Sequence, residues 1–383
     1  MAKRRIIFTI ASLAPGGAEM VLTRLVNALD PERFAITVRV LDKGGALEER
    51  LAANIRLEHI LCSADYYAGG WKRFIYRMKS ALLFRLPPCL SYLLFLRGKA
   101  DVEIAFCENA PVRLISGSRQ KSRKVTWLHC NPVQLPFAKN LFRNAEAVRK
   151  AYRRFDEICC VSQGTLEAFR SLYGADLPLR VVYNPIDAAE IRALAAAGVP
   201  EATAPKEGFT LIALGRLHPV KRFDRLLLAC ARLKAEGIPF QCLIVGEGEC
   251  RWALEKQRES LCLMEQAELP GYSTNPYPLL AAADLFVCTS DTEGFSTAAT
   301  EALTLGVPVL TTDNGGGMHE LLDGYDCGRI CPNTDEGFAE ELLRLLRNPE
   351  QIQWMRANAC KRAEAFNAAQ TISEISRIIE GSI

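Results

Sequence analysis

The chain has 383 residues, 49% of them hydrophobic, 24% charged and only 8% aromatic, with a formal net charge of +3. That length allows two or three domains with sizeable cores and excludes a disulfide miniprotein, a disordered chain and a fibrous repeat. The small net charge conceals an asymmetry: residues 1–185 carry 29 Lys and Arg against 16 Asp and Glu, and the remainder 18 against 28. The 14 cysteines form no CxxC pair and mostly lie within apolar runs, where a free thiol behaves as a small hydrophobe. They predict a reducing, cytoplasmic compartment and no metal cluster.

In chain order, Lys3-Arg4-Arg5 precedes an apolar run, Ile6 to Ile10, that is too short for a signal peptide and leads into a glycine turn. The run predicts the first strand. Gly16-Gly17 opens a helix near Ala18 and lets the backbone come close to a ligand. Glu19 reads as a capping residue or a ligand contact. Strands are predicted at 35–41, 102–106, 124–128, 157–161 and 180–183. No acidic residue lies between Asp65 and Asp101, whereas Lys72, Arg73, Arg77, Lys79, Arg85, Arg97 and Lys99 alternate with Trp71, Phe74 and a series of leucines. Helical segments of this composition, broken at Pro87-Pro88, predict an element lying on an anionic membrane surface through residues 71–99. The rivals are a nucleic-acid surface and a plain solvated face. No nucleic-acid motif accompanies the charge, and the apolar content is too high for a phosphate-tracking groove. No run reaches the length of a membrane span. His129 ends the strand at 124–128, just before Asn131-Pro132, and Glu108-Asn109 ends the one before it.

Residues 188–208, rich in Ala, Pro and Gly, predict a linker with a short helix. A second strand–helix series follows, with strands at 209–214, 241–245, 285–288 and 309–312. Alternation of this kind implies two parallel sheets covered by helices, with ligands at the strand ends. The strand at 209–214 runs into Gly215-Arg216-Leu217-His218-Pro219-Val220-Lys221. Arg216 can fork two oxygens and Lys221 can act as a mobile point charge, which suits a diphosphate. Either residue alone reads as a solvated basic turn. Farther on, Glu293-Gly294-Phe295-Ser296-Thr297-Ala298-Ala299-Thr300-Glu301 sets two glutamates with seven residues between them. Ser296 is a good N-cap, which puts Glu293 on the loop and Glu301 in the second helical turn. A helix N-terminus holds phosphate well, and flanking carboxylates accept hydrogen bonds from sugar hydroxyls. Tyr272, after Gly271, can stack on a nucleobase. Val245-Gly246-Glu247-Gly248 is a weak signal by itself. Gly315-Gly316-Gly317 predicts a further loop among these strand ends.

Gly16-Gly17-Ala18-Glu19, Val182-Tyr183-Asn184-Pro185-Ile186-Asp187, Gly215 to Lys221, Val245 to Gly248 and Glu293 to Glu301 occur in the order found in glycosyltransferase family 4. Over most of its length the chain resembles these retaining enzymes, and within them the bacterial enzymes of capsule, exopolysaccharide and lipid-linked oligosaccharide assembly. It departs at His218, Arg222 and the glycine triplet. The resemblance implies an α/β protein of the GT-B class, with two Rossmann-like parallel-sheet domains facing each other across a cleft. Residues 1–185 would form an acceptor-binding domain, joined by a C-terminal helix (366–383) that packs back on it. Residues 186–365 would bind the nucleotide sugar.

The same resemblance implies a UDP- or GDP-linked hexose or N-acetylhexosamine donor and a saccharide or polyprenyl-linked acceptor. It implies catalytic roles for His129, Glu293, Arg216 and Lys221. Gly16, Gly17, Arg216, Lys221, Tyr272, Glu293, Gly294, Phe295, Ser296 and Glu301 would contact the donor, and Glu19, Glu108, Asn109 and Asn131 the acceptor. No DxD sequence occurs, so no metal and no other cofactor is expected. The enzyme would work in the cytoplasm, peripherally on the inner face of the plasma membrane, with no nucleic-acid partner. A nucleotide-sugar epimerase and a non-catalytic nucleotide-sugar-binding protein are the alternatives. A phosphorylase needs a much longer chain, and a NAD-dependent dehydrogenase needs a GxGxxG that is missing after the first strand.

Overall fold

The computed structural model describes residues 3–133, 141–196, 198 and 208–382. Two compact units result, one made of Met1–Pro185 with Ala369–Ile383, the other of Ile186–Ala368.

In the first unit, strands and helices follow as β1 (Arg4–Ile10), α1 (Gly17–Ala28), β2 (Phe34–Lys43), β3 (Arg56–Cys62), α2 (Ser63–Tyr67), α3 (Gly70–Arg85) and α4 (Pro88–Phe95). Then come β4 (Val102–Ala105), α5 (Ala110–Ile115), β5 (Arg123–Leu128), α6 (Ala145–Tyr152), β6 (Glu157–Cys160), α7 (Gln163–Tyr173) and β7 (Leu179–Val181). The strands order as β3-β2-β1-β4-β5-β6-β7. All pairs are parallel. β1, β4 and β5 are almost wholly buried; β1 reads as an apolar run, whereas β4 buries Glu103 and β5 buries Lys124 and Thr126 among their apolar residues. β3 mixes exposed and half-buried residues at the sheet edge without a regular alternation, and the sequence reading missed it.

The second unit runs α8 (Ala188–Ala195), β8 (Phe209–Leu214), α9 (Phe223–Ala235), β9 (Phe240–Val245), α10 (Arg251–Ser260), β10 (Ala267–Gly271), α11 (Tyr277–Ala281) and β11 (Leu285–Cys288). It continues with α12 (Thr297–Thr304), β12 (Val309–Thr312), α13 (Met318–Leu322), β13 (Gly328–Cys331), α14 (Asp335–Leu346) and α15 (Pro349–Ala363). Its sheet orders as β10-β9-β8-β11-β12-β13, again parallel throughout. Leu226, Leu227, Cys230 and Leu233 of α9 bury one helical face on this sheet together with Phe338 and Leu342 of α14. Asp187 caps α8, and Ile186 bridges Asn367 where the chain leaves this unit.

The last helix, α16 (Ala368–Glu380), is strongly amphipathic and buries Ile375, Ile378 and Ile379. Its end is tied to the first unit: the Arg33 guanidinium meets the Glu380 carboxylate at 2.5 Å, and Arg123 donates to the Ile378 carbonyl at 2.8 Å.

In both sheets the strand order reverses once, between β1 and β4 in the first and between β8 and β11 in the second. In open parallel sheets, loops leaving the carboxyl ends of strands on either side of such a reversal part and leave a crevice. Gly16, Glu108 and Asn109 fall on those loops in the first unit and Arg216, Lys221 and Glu293 to Ser296 in the second, whereas His129 and Asn131 follow β5 and Tyr272 follows the edge strand β10.

Candidate functional site

In the second unit, β8 delivers its chain into the turn Gly215–Arg222. Two glycines allow neighbouring loops to lie against that turn. A Cβ on Gly246 would stand 1.9 Å from the Gly215 carbonyl oxygen, and one on Gly248 2.4 Å from that of Leu217. The Leu217 amide donates to Glu247 and the Cys250 amide donates to Leu217, each at 2.9 Å. Val245–Gly248 therefore braces the turn.

The loop after β11 meets the same turn from the other side of the strand reversal. The Asp291 amide donates to the Val220 carbonyl at 2.9 Å, and Thr289 Oγ1 donates to the Lys221 carbonyl at 2.8 Å. This pairing brings the two sequence motifs together: Lys221 Nζ lies 2.5 Å from Glu293 Oε1, which also accepts from Ser290 Oγ at 2.7 Å. Gly316 fits directly under this loop, since a Cβ there would lie 1.9 Å from the Glu293 carbonyl oxygen. The Gly317 amide donates to the Gly294 carbonyl at 2.8 Å.

Ser296 caps α12, with its hydroxyl accepting from the Ala299 amide at 3.3 Å. Glu301 is buried in the second turn and accepts from the Tyr277 hydroxyl at 2.9 Å, a partner the sequence reading did not name. Phe295 is buried against Phe366, ring centroids 5.1 Å apart. Arg216 is exposed at the head of the turn, and Tyr272 is 43% exposed beyond β10.

Behind Lys221 stands a network with no counterpart in the sequence reading. Arg222 adopts a left-handed backbone, φ +50°, a conformation that strains any residue other than glycine. Its guanidinium reaches Asp224, Asp291 and Asp335 at 3.0–3.2 Å. Arg225, only 2% exposed, contacts Asp335, Asn333, Asp291 and the Thr289 carbonyl. One buried guanidinium thus joins α9 to the loops after β11 and β13. No local pattern reveals a contact between residues 66 and 110 positions apart.

In the first unit, the ends of β1, β4 and β5 gather the other named residues. The Glu108 carboxylate accepts from the main-chain amides of His129 and Cys130, the latter at 2.8 Å. It therefore braces the end of β5, a holding role where the resemblance suggested an acceptor contact. Burial raises Glu108 to about 7, and nearby Glu19 adds to that rise. Burial also lowers His129 to about 4, against a main-chain hydrogen bond with Phe106 that favours the charged form. The imidazole is therefore neutral at pH 7. Its Nε2 is buried without a partner, so the Phe106 bond falls to Nδ1 and Nε2 is left as an acceptor.

Two neighbouring strand ends carry similar orphans, Thr9 Oγ1 and Asn109 Oδ1. Asn109 also has a positive φ of 65°, which an asparagine tolerates better than most residues. Buried polar atoms of this kind are rare, and three at adjacent strand ends suit a polar ligand. Asn131 turns the chain, its Oδ1 accepting from the Val133 amide at 3.0 Å. Gly16 is extended, φ −167°, so its backbone asks for no glycine; Gly17 begins α1. Glu19 lies in the first turn of α1.

The two shifted groups oppose each other in their effect on stability. Between about pH 4 and 6.5 the unfolded chain binds the His129 proton and the folded chain does not, so stability rises with pH. Between 4.5 and about 7 the folded chain holds the Glu108 proton that the unfolded chain has lost, so stability falls with pH. Where the windows overlap they largely cancel. Denaturant melts across that overlap are expected to show a new decline with rising pH in His129→Asn and a new rise in Glu108→Gln. Each slope is bounded by about 1.4 kcal/mol per pH unit.

Residues 199–362 match the family described as glycosyl transferases group 1, and residues 15–190 match glycosyltransferase family 4. A Campylobacter jejuni N-acetylgalactosaminyltransferase acting on N-acetylgalactosamine-N,N'-diacetylbacillosaminyl-diphospho-undecaprenol is 27% identical over 288 residues, 73% of this chain and 76% of that protein. The lipopolysaccharide core glycosyltransferase LpsE of Rhizobium meliloti is 25% identical over 333 residues, 86% of each chain. Among solved structures, Anabaena HepE in complex with UDP and glucose superposes with a TM-score of 0.75 at 21% identity, covering 98% of this chain and 99% of its own. That likeness establishes the GT-B fold.

Proposed function

Because the chain belongs to glycosyltransferase family 4, with a group 1 transferase domain as its second half, we propose that it moves a hexose or N-acetylhexosamine from a nucleotide diphosphate sugar, with retention at the anomeric carbon. The acceptor is a saccharide or polyprenyl-linked saccharide of surface polysaccharide assembly. One observation carries this reading: the basic turn after β8 and the acidic loop after β11 converge at the strand reversal, with Lys221 on Glu293.

As the sugar leaves, charge builds on the diphosphate. Lys221, Arg216 and the first-turn amides of α12 stabilise that charge as fixed donors, so no metal is needed. The Glu293 and Glu301 carboxylates accept from sugar and ribose hydroxyls, and Tyr272 stacks on the base. Departing phosphate takes the acceptor's proton on the leaving-group face. His129 accepts from a sugar hydroxyl at Nε2. Glu19, Glu108, Asn109 and Asn131 order the acceptor side. A UDP-sugar donor is favoured, because HepE binds UDP and UDP-glucose. The Campylobacter relative acts on a diphospho-undecaprenol saccharide, which favours a lipid-linked acceptor and a peripheral place on the inner membrane face.

Thermal-shift screening with UDP-, GDP- and ADP-sugars is the test, followed by product analysis by proton NMR. One donor class is expected to stabilise the protein, and the product is expected to keep the donor's anomeric configuration in the presence of EDTA. An inverted product, or activity abolished by EDTA and restored by a divalent cation, would overturn the mechanism. Donor consumption without any acceptor would point to the epimerase instead.

A further inference from the structure

Among the described residues, nine of the eighteen exposed large apolar side chains fall between Tyr66 and Leu94. They are ordered. Trp71, Phe74, Met78 and Leu82 follow one another at three- and four-residue steps along α3, within roughly 80° of arc at 100° per residue. All four are exposed: Trp71 72%, Phe74 54%, Met78 46% and Leu82 38%. The opposite face of α3 packs on the core through Tyr76, Leu83 and Phe84. α3 therefore has two apolar faces, and only one is covered.

On α4, Leu90, Leu93 and Leu94 form a second exposed face, with Leu93 69% exposed, while Ser91 and Tyr92 turn inward. Trp71 and Phe74 stack on each other, ring centroids 5.1 Å apart. Cations border the stripe on both sides: by helical position, Lys72 and Lys79 lie along one edge and Arg77 along the other, while Arg73 turns back to donate to the Tyr66 carbonyl at 2.8 Å. Arg85, Arg97 and Lys99 follow, with no carboxylate anywhere between residues 65 and 101.

We propose that α3 and α4 form an in-plane membrane anchor, with Trp71, Phe74, Met78, Leu82, Leu90, Leu93 and Leu94 entering an anionic leaflet while the flanking lysines and arginines hold lipid phosphates. The occupant is a lipid surface because the patch pairs outward apolar side chains with unopposed positive charge. A protein partner would have to supply a complementary acidic rim, whereas an anionic leaflet supplies it everywhere. Both helices are too short to span: among the described residues, no helix is long and apolar enough to cross a membrane. The inference rests on the proposed lipid-linked acceptor only for its purpose; the adsorption itself needs no substrate.

The experiment is flotation of the full chain with phosphatidylglycerol-containing vesicles and with pure phosphatidylcholine vesicles, at low and high salt. Binding is expected to the anionic vesicles and to weaken with salt. The triple variant Trp71→Ser/Phe74→Ser/Leu93→Ser should lose at least about tenfold in partition coefficient, and Lys72→Gln/Arg77→Gln/Lys79→Gln a similar factor at low salt. These side chains are exposed, so melting temperatures should not change. Trp71→Phe should still float yet lose part of the vesicle-induced blue shift in tryptophan emission.

Absence of flotation at low salt, or equal flotation by the serine variant, overturns the proposal. So does light scattering that shows a dimer which the serine variant splits while vesicle binding stays the same. Turnover of nucleotide sugar on a water-soluble acceptor separates the two readings. If turnover persists without flotation, the anchor alone is wrong; if flotation persists without turnover on any donor, the transferase chemistry is wrong.

Discussion

Lys221→Ala is expected to lower kcat by about 10²–10³-fold, the loss typical when a fixed donor to a developing negative charge is removed. Its fold should survive, because the turn is held by main-chain bonds that the side chain does not make: Leu217 with Glu247, Asp291 with Val220, and Thr289 Oγ1 with the Lys221 carbonyl. The ammonium and its aliphatic stem are lost, and Glu293 keeps its bond from Ser290. The expected change in stability is below about 2 kcal/mol. Charge on the departing diphosphate grows towards the transition state, so kcat should fall more than KM rises. Lys221→Arg should recover part of the rate, since it restores charge but not the compact ammonium that fits beside Glu293. Arg216→Ala should behave in the same way as Lys221→Ala, with still less effect on stability because Arg216 is exposed. Steady-state kinetics with the donor found by thermal shift checks all three. Full activity in both alanine variants would remove the diphosphate assignment.

How much of this site was legible in the sequence follows the range of the interactions involved. The strand ends and the capped helix start were readable because burial and capping leave patterns within a few residues: Leu285–Cys288 and Ser296 stand where they were expected. β3 and β13 escaped, since edge strands half exposed to water carry neither a solid apolar run nor a clean alternation. Gly246, Gly248 and Gly316 were readable as glycines but not as braces, because what excludes a Cβ there is a carbonyl from a loop distant in the chain. Glu108 was placed correctly at a strand end, yet its bond to the His129 amide depends on how β4 and β5 align. Arg222 gave one legible clue, a bulky residue directly after Lys221 where the resemblance often has another. Its left-handed backbone and the three carboxylates it gathers became visible only in three dimensions.

Arg225→Met is expected to be the most destabilising single change in the second unit's site, by about 3 kcal/mol. Removing one partner of a buried ion pair usually costs about 3–5 kcal/mol, and the lower end applies because Asp291 and Asp335 are themselves 46% exposed and can be rehydrated. Methionine fills much of the volume, so the loss reports polar contacts rather than a cavity. It strips the Thr289 carbonyl and Asn333 Oδ1 of their donor and frees the loop that carries Ser290 and Glu293. A fall in kcat should therefore accompany the fall in stability, although Arg225 touches no substrate. Arg222→Gly is the control. Glycine relieves the left-handed strain, worth about 1 kcal/mol, while surrendering partly exposed ion pairs of similar size, so its net effect should lie near zero. The pH dependence separates charge from packing. Arg225 is the main cause holding the Asp335 carboxyl below its ordinary value of 3.8. A depressed carboxyl stabilises the fold above the unfolded value and loses that contribution as pH falls through the folded one. The gap between wild type and Arg225→Met in urea melts should thus be full at pH 7 and shrink below about pH 4. A gap that stays constant into acid would mean that Arg225 acts by packing alone and that the network behind Lys221 does not depend on its charge.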